Sequence, residues 1–466
     1  MSDIPAPAGK ARFPRTFWTA NTIELFERAA YYSMASFVVI YLNEKLGMSP
    51  ATATLLNGTV LWGLIYFLPI LSGTIADKYG YKKSLSVSLV LISIGYLIMG
   101  NIQGIWPRLT GSAEGTPINY LVPVVIAIVF IGVGGSIVKP CIAGTVQKTA
   151  GRNATLAFGI FYMVINIGSI TGRAVSYFVR KNFGIPAIFT YVATVFAILG
   201  LGVVLFLYKE PQFVSDGKKD GQIVKRRSLG EALLGIITVL RNVRFVFFII
   251  VLSLFWFLYS QLYNLMPLFM RFIDPNAAME LYTMANPLMI VSFQLLITKF
   301  AKKWTPIKSI MFGVAVTTVG MIVNVLPTLL WSDAFQKVNL LGLAIPAAGI
   351  FMVVSIASMA TGEMFASPRI YEYLGAMAPK GQEGLYLGYS NLPVALGSIL
   401  GGGVGGKLFE KLILNPQKAG QAPKIATLWL IIGAVGIVSF VGLGIYNAWL
   451  RRILKQEGTA GSQDGR

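Results

Sequence analysis

The sequence predicts an all-α membrane protein with twelve transmembrane helices in two six-helix bundles. Three observations lead there. Of the 466 residues, 55% are hydrophobic and 12% charged, with a mean hydropathy of +0.67, a balance that soluble domains do not have. Twelve apolar runs each reach the ~20 residues that a bilayer core requires. The longest polar connection, 209–244, divides those runs into two sets of six.

Taken in order, residues 1–16 are polar and basic and have no short apolar core, so they read as a cytoplasmic tail and not a signal peptide. Runs at about 17–42, 51–76, 84–104, 119–147, 154–180 and 186–208 form an N-terminal bundle, 17–208. The Ser/Gly/Lys-rich stretch 209–244 reads as a flexible cytoplasmic linker. Runs at about 245–270, 279–299, 307–331, 338–376, 383–412 and 425–450 form a C-terminal bundle, 245–450, followed by a tail, 451–466. Lys78, Lys82 and Lys83 follow the second run, and Lys148 and Arg152 the fourth. Lys225, Arg226 and Arg227 follow the sixth, Lys299, Lys302 and Lys303 the eighth, Lys380 the tenth, and Arg451 and Arg452 the twelfth. Basic residues at every even-numbered connection place both termini in the cytoplasm of an inner (plasma) membrane. Two equal bundles of this kind suggest pseudo-symmetric halves around a central cavity.

The composition also excludes classes. The chain has no histidine and one cysteine, Cys141, so no internal disulfide forms, no imidazole carries protons, and no transition-metal site is expected. Net charge is +20, but the basic residues cluster in the short connections, which speaks for a lipid bilayer and against nucleic acid. No Walker sequence appears. The glycines from Gly397 to Gly406 have neither the Lys-Ser/Thr nor the strand of a phosphate loop, and read as close helix packing. No cofactor and no enzymatic activity are expected.

The first run carries Glu24, Glu27 and Arg28 in apolar surroundings. Each charge costs about 2.5–3.5 kcal/mol if left facing lipid at the bilayer centre. Helical spacing puts Glu24, Glu27, Arg28 and Tyr31 on one face, which must then look into the protein. A structural Glu24–Arg28 pair is the plain alternative. Two carboxylates sharing one arginine speak against it, because the second is free to take or lose a proton. Lys139 and Glu363 are likewise single charges in apolar runs, one in each half, and each needs an opposite charge.

The connection after the second run reads Gly73-Thr-Ile-Ala-Asp77-Lys78-Tyr-Gly80-Tyr-Lys82-Lys83. Gly73 would allow close helix approach, Gly80 a tight turn, and Asp77 a helix cap beside the lysines. This stretch, with the twelve-run layout, resembles the signature loop of the major facilitator superfamily. Further matches are spread over both halves. Glu24-x-x-Glu27-Arg28 with Tyr31-Tyr32, Lys139-Pro140, Phe158-Gly-Ile-Phe161-Tyr162 through Asn166 and Gly168-Ser169, Phe255-Trp256 with Gln261, Asn286-Pro287, and Gly362-Glu363 with Ser367-Pro368 resemble the proton-coupled oligopeptide transporters.

That resemblance implies a monomeric symporter of small peptides, working by alternating access and driven by a proton gradient. It implies that Glu24, Glu27, Arg28, Lys139 and Glu363 couple protons to transport. Arg28 and Lys139 would hold a peptide carboxylate and Glu363 its amino group, while Tyr31, Tyr32, Tyr66, Asn166, Trp256, Asn286, Ser367 and Ser390 would line the pocket. The chain departs from the pattern at Ser260 (usually Glu), at Ser390 (usually Trp), at Cys141 (usually Asn), at Arg173, at Arg369 with Glu372, and in having no extra helices between the halves. Arg369 and Glu372 read as a local i,i+3 pair. Two other readings are the same fold moving another small organic solute or anion, and a non-transporting receptor or scaffold. The scaffold would have no use for the costly carboxylates of the first run.

Overall fold

The structure is a computed structural model that describes residues 13–112, 117–211, 230, 235, 238–330, 335–340, 343–377 and 389–463. Most of the 209–244 linker and Lys380 lie outside the described residues. Among the described residues eleven helices are long and apolar enough to cross a membrane. The first helix, α1 (Arg15–Ala35), carries Glu24, Glu27 and Arg28 and makes a twelfth. It runs on through Val38–Ile40 into a wide turn at Tyr41–Lys45. The others in the first half are α2 (Pro50–Ala76), α3 (Tyr81–Thr110), α4 (Leu121–Ala150), α5 (Leu156–Phe183) and α6 (Ile185–Phe206). The second half holds α7 (Val243–Ile273), α8 (Met279–Ala301), α9 (Pro306–Leu330), α10 (Ala347–Leu374), α11 (Leu392–Lys418) and α12 (Ile425–Ile453).

Two stretches differ from the sequence expectation. The tenth run was expected to be helical from about 338, but Lys337–Leu340 (β1) and Leu343–Pro346 (β2) pair antiparallel as a hairpin, and α10 begins at Ala347. Val338 and Leu340 alternate with polar neighbours, a period of two that suits a strand. The eleventh run was expected from about 383. Residues 378–388 lie outside the described ones, and α11 starts at Leu392, with Pro393 in its first turn, where a missing N–H does no harm.

Packing repeats with an offset of six helices. In the first half α1 packs on α5 and α6, α3 on α4, and α6 on α3. In the second half α7 packs on α11 and α12, α9 on α10, and α12 on α9. Across the halves α2 meets α11 and α5 meets α8, again related by the same offset. The two bundles are therefore pseudo-symmetric, and α1 and α7 hold equivalent central places.

Glycine sets the α2–α11 contact. A Cβ on Gly402 would lie 2.5 Å from the Thr59 nitrogen and 2.7 Å from the Gly58 Cα, and one on Gly406 would lie 2.3 Å from the Pro50 oxygen. Thr59 Oγ1 donates to the Ile399 carbonyl at 2.7 Å across the same seam. Without a hydrophobic drive between helices in lipid, such small-residue packing supplies the attraction. Gly73, by contrast, has nothing within 4 Å of its Cβ position, so it does not mediate the close approach expected from the sequence.

Candidate functional site

The charged face of α1 closes on itself. Glu24 and Glu27 are 1% and 2% exposed, and both point at Arg28. Glu27 accepts directly from Arg28. Glu24 Oε1 stands 3.4 Å from Arg28 Nε, and neither Glu24 oxygen has a hydrogen-bond partner. The Arg28 guanidinium also lies 5.3 Å over the Tyr31 ring, and the Tyr31 hydroxyl is buried without a partner. A cavity of about 10 Å³, lined by Glu27, Arg28, Tyr31 and Tyr96, adjoins this group. That volume is about enough for one water.

Lys139 comes from α4 and Glu363 from α10, so the two halves each contribute one charge, as expected. Among the described residues neither makes an ion pair within 4 Å. Lys139 Nζ stands 5.9 Å over the Tyr66 ring, within electrostatic range of both Glu24 and Glu363. Glu363 has Tyr259 and Asn286 as polar neighbours. Glu363 Oε2, Asn286 Nδ2 and Ser367 Oγ are nonetheless buried with no hydrogen-bond partner. Unsatisfied polar groups of this kind are expensive and await a ligand or water.

The other expected lining residues divide. Tyr31 and Tyr32 pack edge to face at 5.1 Å, and Tyr66 leans on Trp62 at 5.5 Å. Trp256 stacks edge-on against Tyr259 at 5.3 Å, beside Glu363. Asn166 instead returns its Nδ2 to the Tyr162 carbonyl of its own helix at 2.9 Å. Ser390 lies in the turn ahead of α11 and not on the helix where a pocket residue was expected. Ser260 is fully buried against α11, where a Cβ on Gly401 would lie 2.0 Å from its Oγ.

The sequence marks Arg173 as a departure from the family pattern without giving it a role, and Arg180, Glu280, Glu44, Arg271 and Glu410 are not singled out from it at all. Arg173 is fully buried and has neutral partners: Nε donates to Thr283 at 3.0 Å and Nη2 to the Tyr263 hydroxyl at 2.9 Å, with the guanidinium 4.7 Å over the Tyr32 ring. Arg180, two turns on, pairs with Glu280 at 2.8 Å, and Glu280 is 0% exposed. Glu44 and Arg271 form a half-exposed pair, 2.6 Å. Glu410 accepts from the Ala51 nitrogen at 2.9 Å, and Asn57 donates to Asn264 at 3.0 Å. Ser36–Thr283, Ala51–Glu410, Glu44–Arg271 and Arg180–Glu280 link the two halves near the ends that meet in the odd-numbered connections. A buried pair such as Arg180–Glu280 holds firmly, since removing one partner costs about 3–5 kcal/mol. Exposed pairs are worth about 0–1 kcal/mol. The spacing of Arg173 and Arg180, seven residues apart on one helix face, was the signal that could have found the latch.

The signature loop holds another missed residue. Glu210 Oε1 accepts from the Lys82 nitrogen at 2.8 Å and Oε2 from the Tyr81 nitrogen at 3.2 Å, so it caps α3. That role had been expected of Asp77, whose side chain lies outside the described ones. Gly80 takes φ 90°, a left-handed value that only glycine adopts freely, and a Cβ there would lie 2.9 Å from Glu210 Oε1. Lys82 Nζ donates to the Leu205 carbonyl at 3.0 Å, and Lys78 lies over the Tyr79 ring. Arg369 pairs with Glu372 at 2.5 Å, the local pair read from the sequence.

Comparison with known proteins follows this geometry. The family model described as Major Facilitator Superfamily matches residues 25–369. The dipeptide and tripeptide permease B of Salmonella typhimurium is 25% identical over an alignment covering 97% of this chain and 99% of that protein. The protein of the same name from Photorhabdus asymbiotica is 28% identical over 44% of this chain, and the match spans only 38% of that protein's length. A solved structure that gives insight into substrate recognition in proton-dependent oligopeptide transporters superposes with a TM-score of 0.71 at 19% identity, over 94% of this chain and 99% of that one. The matched segment contains Glu27, Arg28, the signature loop, Lys139 and Glu363, and the chain belongs to the Major Facilitator Superfamily, with the fold of its proton-dependent oligopeptide transporters.

Proposed function

We propose that the protein is a proton-driven symporter of di- and tripeptides. One observation carries this reading: Lys139 of one half acts across the interior on Glu363 of the other, whose Oε2 lies unpartnered beside the unpartnered Asn286 Nδ2. A zwitterion fits such a place, its carboxylate toward Arg28 and Lys139 and its amino group toward Glu363. Length selectivity then follows from the distance between the two charge centres. The names of the full-length permease relative and of the solved neighbour support the same substrate class.

The proton is carried by carboxylates, since the chain has no histidine. Glu24 and Glu27 share one arginine, so a proton on one of them frees part of Arg28 for the peptide carboxylate. The basic connections support a plasma-membrane protein with cytoplasmic termini. The cross-half contacts then seal the outer face, and the cycle alternates between this state and one sealed inside. The reading takes the transport unit to be a monomer driven by the proton gradient.

A thermal-shift screen of the purified protein against di- and tripeptides, free amino acids and organic anions tests the substrate class, because a ligand that binds only the folded state raises Tm. Shifts with peptides alone are expected, and shifts with organic anions alone would overturn the peptide reading. Orientation is checked by Ser215→Cys in a Cys141→Ala background, which should be protected from impermeant reagents in intact cells.

A further inference from the structure

We infer that Arg173 is a carboxylate-binding site of the state open to the outer side: it takes the peptide carboxylate in a two-point hydrogen bond and yields it to Arg28 and Lys139 as the halves close. This rests on the reading above, that the chain is a peptide transporter whose cross-half contacts seal the outer face.

Arg173 is 0% exposed, and among the described residues no carboxylate pairs with it. Burying a guanidinium without a counter-charge is costly. Arg180, two turns along the same helix, has a counter-charge in Glu280 at 2.8 Å. The partners of Arg173 are neutral instead. Nε donates to Thr283 Oγ1 at 3.0 Å and Nη2 to the Tyr263 hydroxyl at 2.9 Å. Nη1 donates to the Ser169 hydroxyl and, at 3.3 Å, to the Ser169 carbonyl.

These bonds divide by edge. Ser169 belongs to α5 itself, so Nη1 stays held whichever way the halves move. Nε and Nη2 form the other edge of the guanidinium, and both reach across to the second half, to Thr283 of α8 and Tyr263 of α7. When the halves part on the outer face, that edge loses both partners. Two parallel N–H groups on one planar edge match the two oxygens of a carboxylate. In the sealed state the hydroxyls stand where those oxygens would be. A glutamate there would hold the arginine as a permanent pair, whereas hydroxyls leave its charge free for an incoming anion.

The site adjoins the pocket. Arg28 lies 5.3 Å over the Tyr31 ring and Arg173 4.7 Å over the Tyr32 ring, and these two rings meet edge to face at 5.1 Å. Tyr32 and Tyr263 are each within electrostatic range of both Arg173 and Glu363. A carboxylate leaving Arg173 therefore has one tyrosine pair to pass before Arg28. On closure Thr283 and Tyr263 return to the fork and displace the carboxylate inward. In the state open to the inside the fork stays covered, so the site acts from the outer face alone.

The test is counterflow exchange of a dipeptide in vesicles of the full-length protein, with its concentration dependence taken from each face. Arg173→Gln should raise the outer KM about tenfold, the effect of one lost charge-assisted contact, and leave the inner KM unchanged. Arg173→Lys keeps the charge without the fork and should raise the outer KM by less; it carries the test where Arg173→Gln fails to reach the membrane. A purely structural arginine gives the opposite sign, because a loosened outer seal favours the state open to the outside and lowers the outer KM. Thr283→Val with Tyr263→Phe supplies that case: it removes the same cross-half bonds, leaves the fork, and should not raise the outer KM. An outer KM unmoved or lowered in both Arg173 variants, an inner KM raised as much as the outer, or an equal rise in Thr283→Val with Tyr263→Phe overturns the inference. Absence of dipeptide exchange in the parent removes the transport reading as well; exchange in the parent with any of those outcomes removes the inference alone.

Discussion

Glu24 stands 3.4 Å from Arg28 and receives no hydrogen bond from it, because the guanidinium is turned to Glu27. Two buried carboxylates thus share one cation unequally. Glu27 is the compensated one and Glu24 is left over, with both oxygens unpartnered. The sequence placed all three charges on one face of α1 but gave no means to choose between the glutamates, since that choice is made by the Arg28 side-chain rotamer.

Lys139 forms no ion pair within 4 Å of a described residue, whereas Arg180 holds buried Glu280. Their replacements should therefore behave in opposite ways. Lys139→Ala should lower stability by less than about 1 kcal/mol while abolishing uptake, because no buried partner is stripped. Arg180→Ala leaves a buried carboxylate alone and should cost about 3–5 kcal/mol. Thermal melts of the two purified variants beside peptide uptake make the comparison. Wild-type uptake in Lys139→Ala would remove it from the mechanism.

Gly402→Ala should impair the outward-sealed state. Its Cβ would come within 2.5 Å of the Thr59 nitrogen and 2.7 Å of the Gly58 Cα, all backbone atoms with little freedom to yield. Overpacking of this kind costs about 1–3 kcal/mol. Melting temperature should fall, and impermeant labelling of Ser36→Cys from the outer face should rise. Gly403→Ala is the matched control, because its Cβ would meet only Thr59 Oγ1, at 3.9 Å. Equal behaviour of the two variants would remove the α2–α11 seam as the seal.

Glu210→Ala should unfasten the start of α3. The carboxylate accepts from two backbone amides, and losing such a cap costs about 0.5–2 kcal/mol. Glu210→Gln, which keeps an acceptor oxygen, should lose less. The readout is the melting temperature of the three proteins, and identical values would show that the cap contributes nothing.

The fold was legible because lipid leaves few choices. Apolar runs had to be helices, and charges such as Glu24, Lys139 and Glu363 stood out against apolar neighbours. The glycines of α11 could likewise be read as packing. What could not be read were long-range pairings at helix ends. Glu210 is 128 residues from Lys82 and Glu280 is 100 from Arg180. At helix ends a charge looks like any solvated one until its partner is known. The hairpin at 337–346 was hidden for another reason, since a short apolar stretch suits a strand and a helix alike. Ser390 was placed on a helix by spacing alone, and the start of α11 at Leu392 moves it into a turn.

The central claim is that the α1 carboxylates couple proton movement to peptide movement. Replacing Glu24 by Gln fixes the unpartnered carboxylate in a neutral form, and replacing Glu27 by Gln turns Arg28 toward Glu24 and fixes the balance the other way. Gradient-driven accumulation and counterflow exchange of a dipeptide, measured in the same vesicles for wild type, Glu24→Gln and Glu27→Gln, test this directly. Both variants should still exchange peptide in counterflow, and neither should concentrate it under an inward proton gradient that drives the wild type. Accumulation by both variants at the wild-type level would contradict the account.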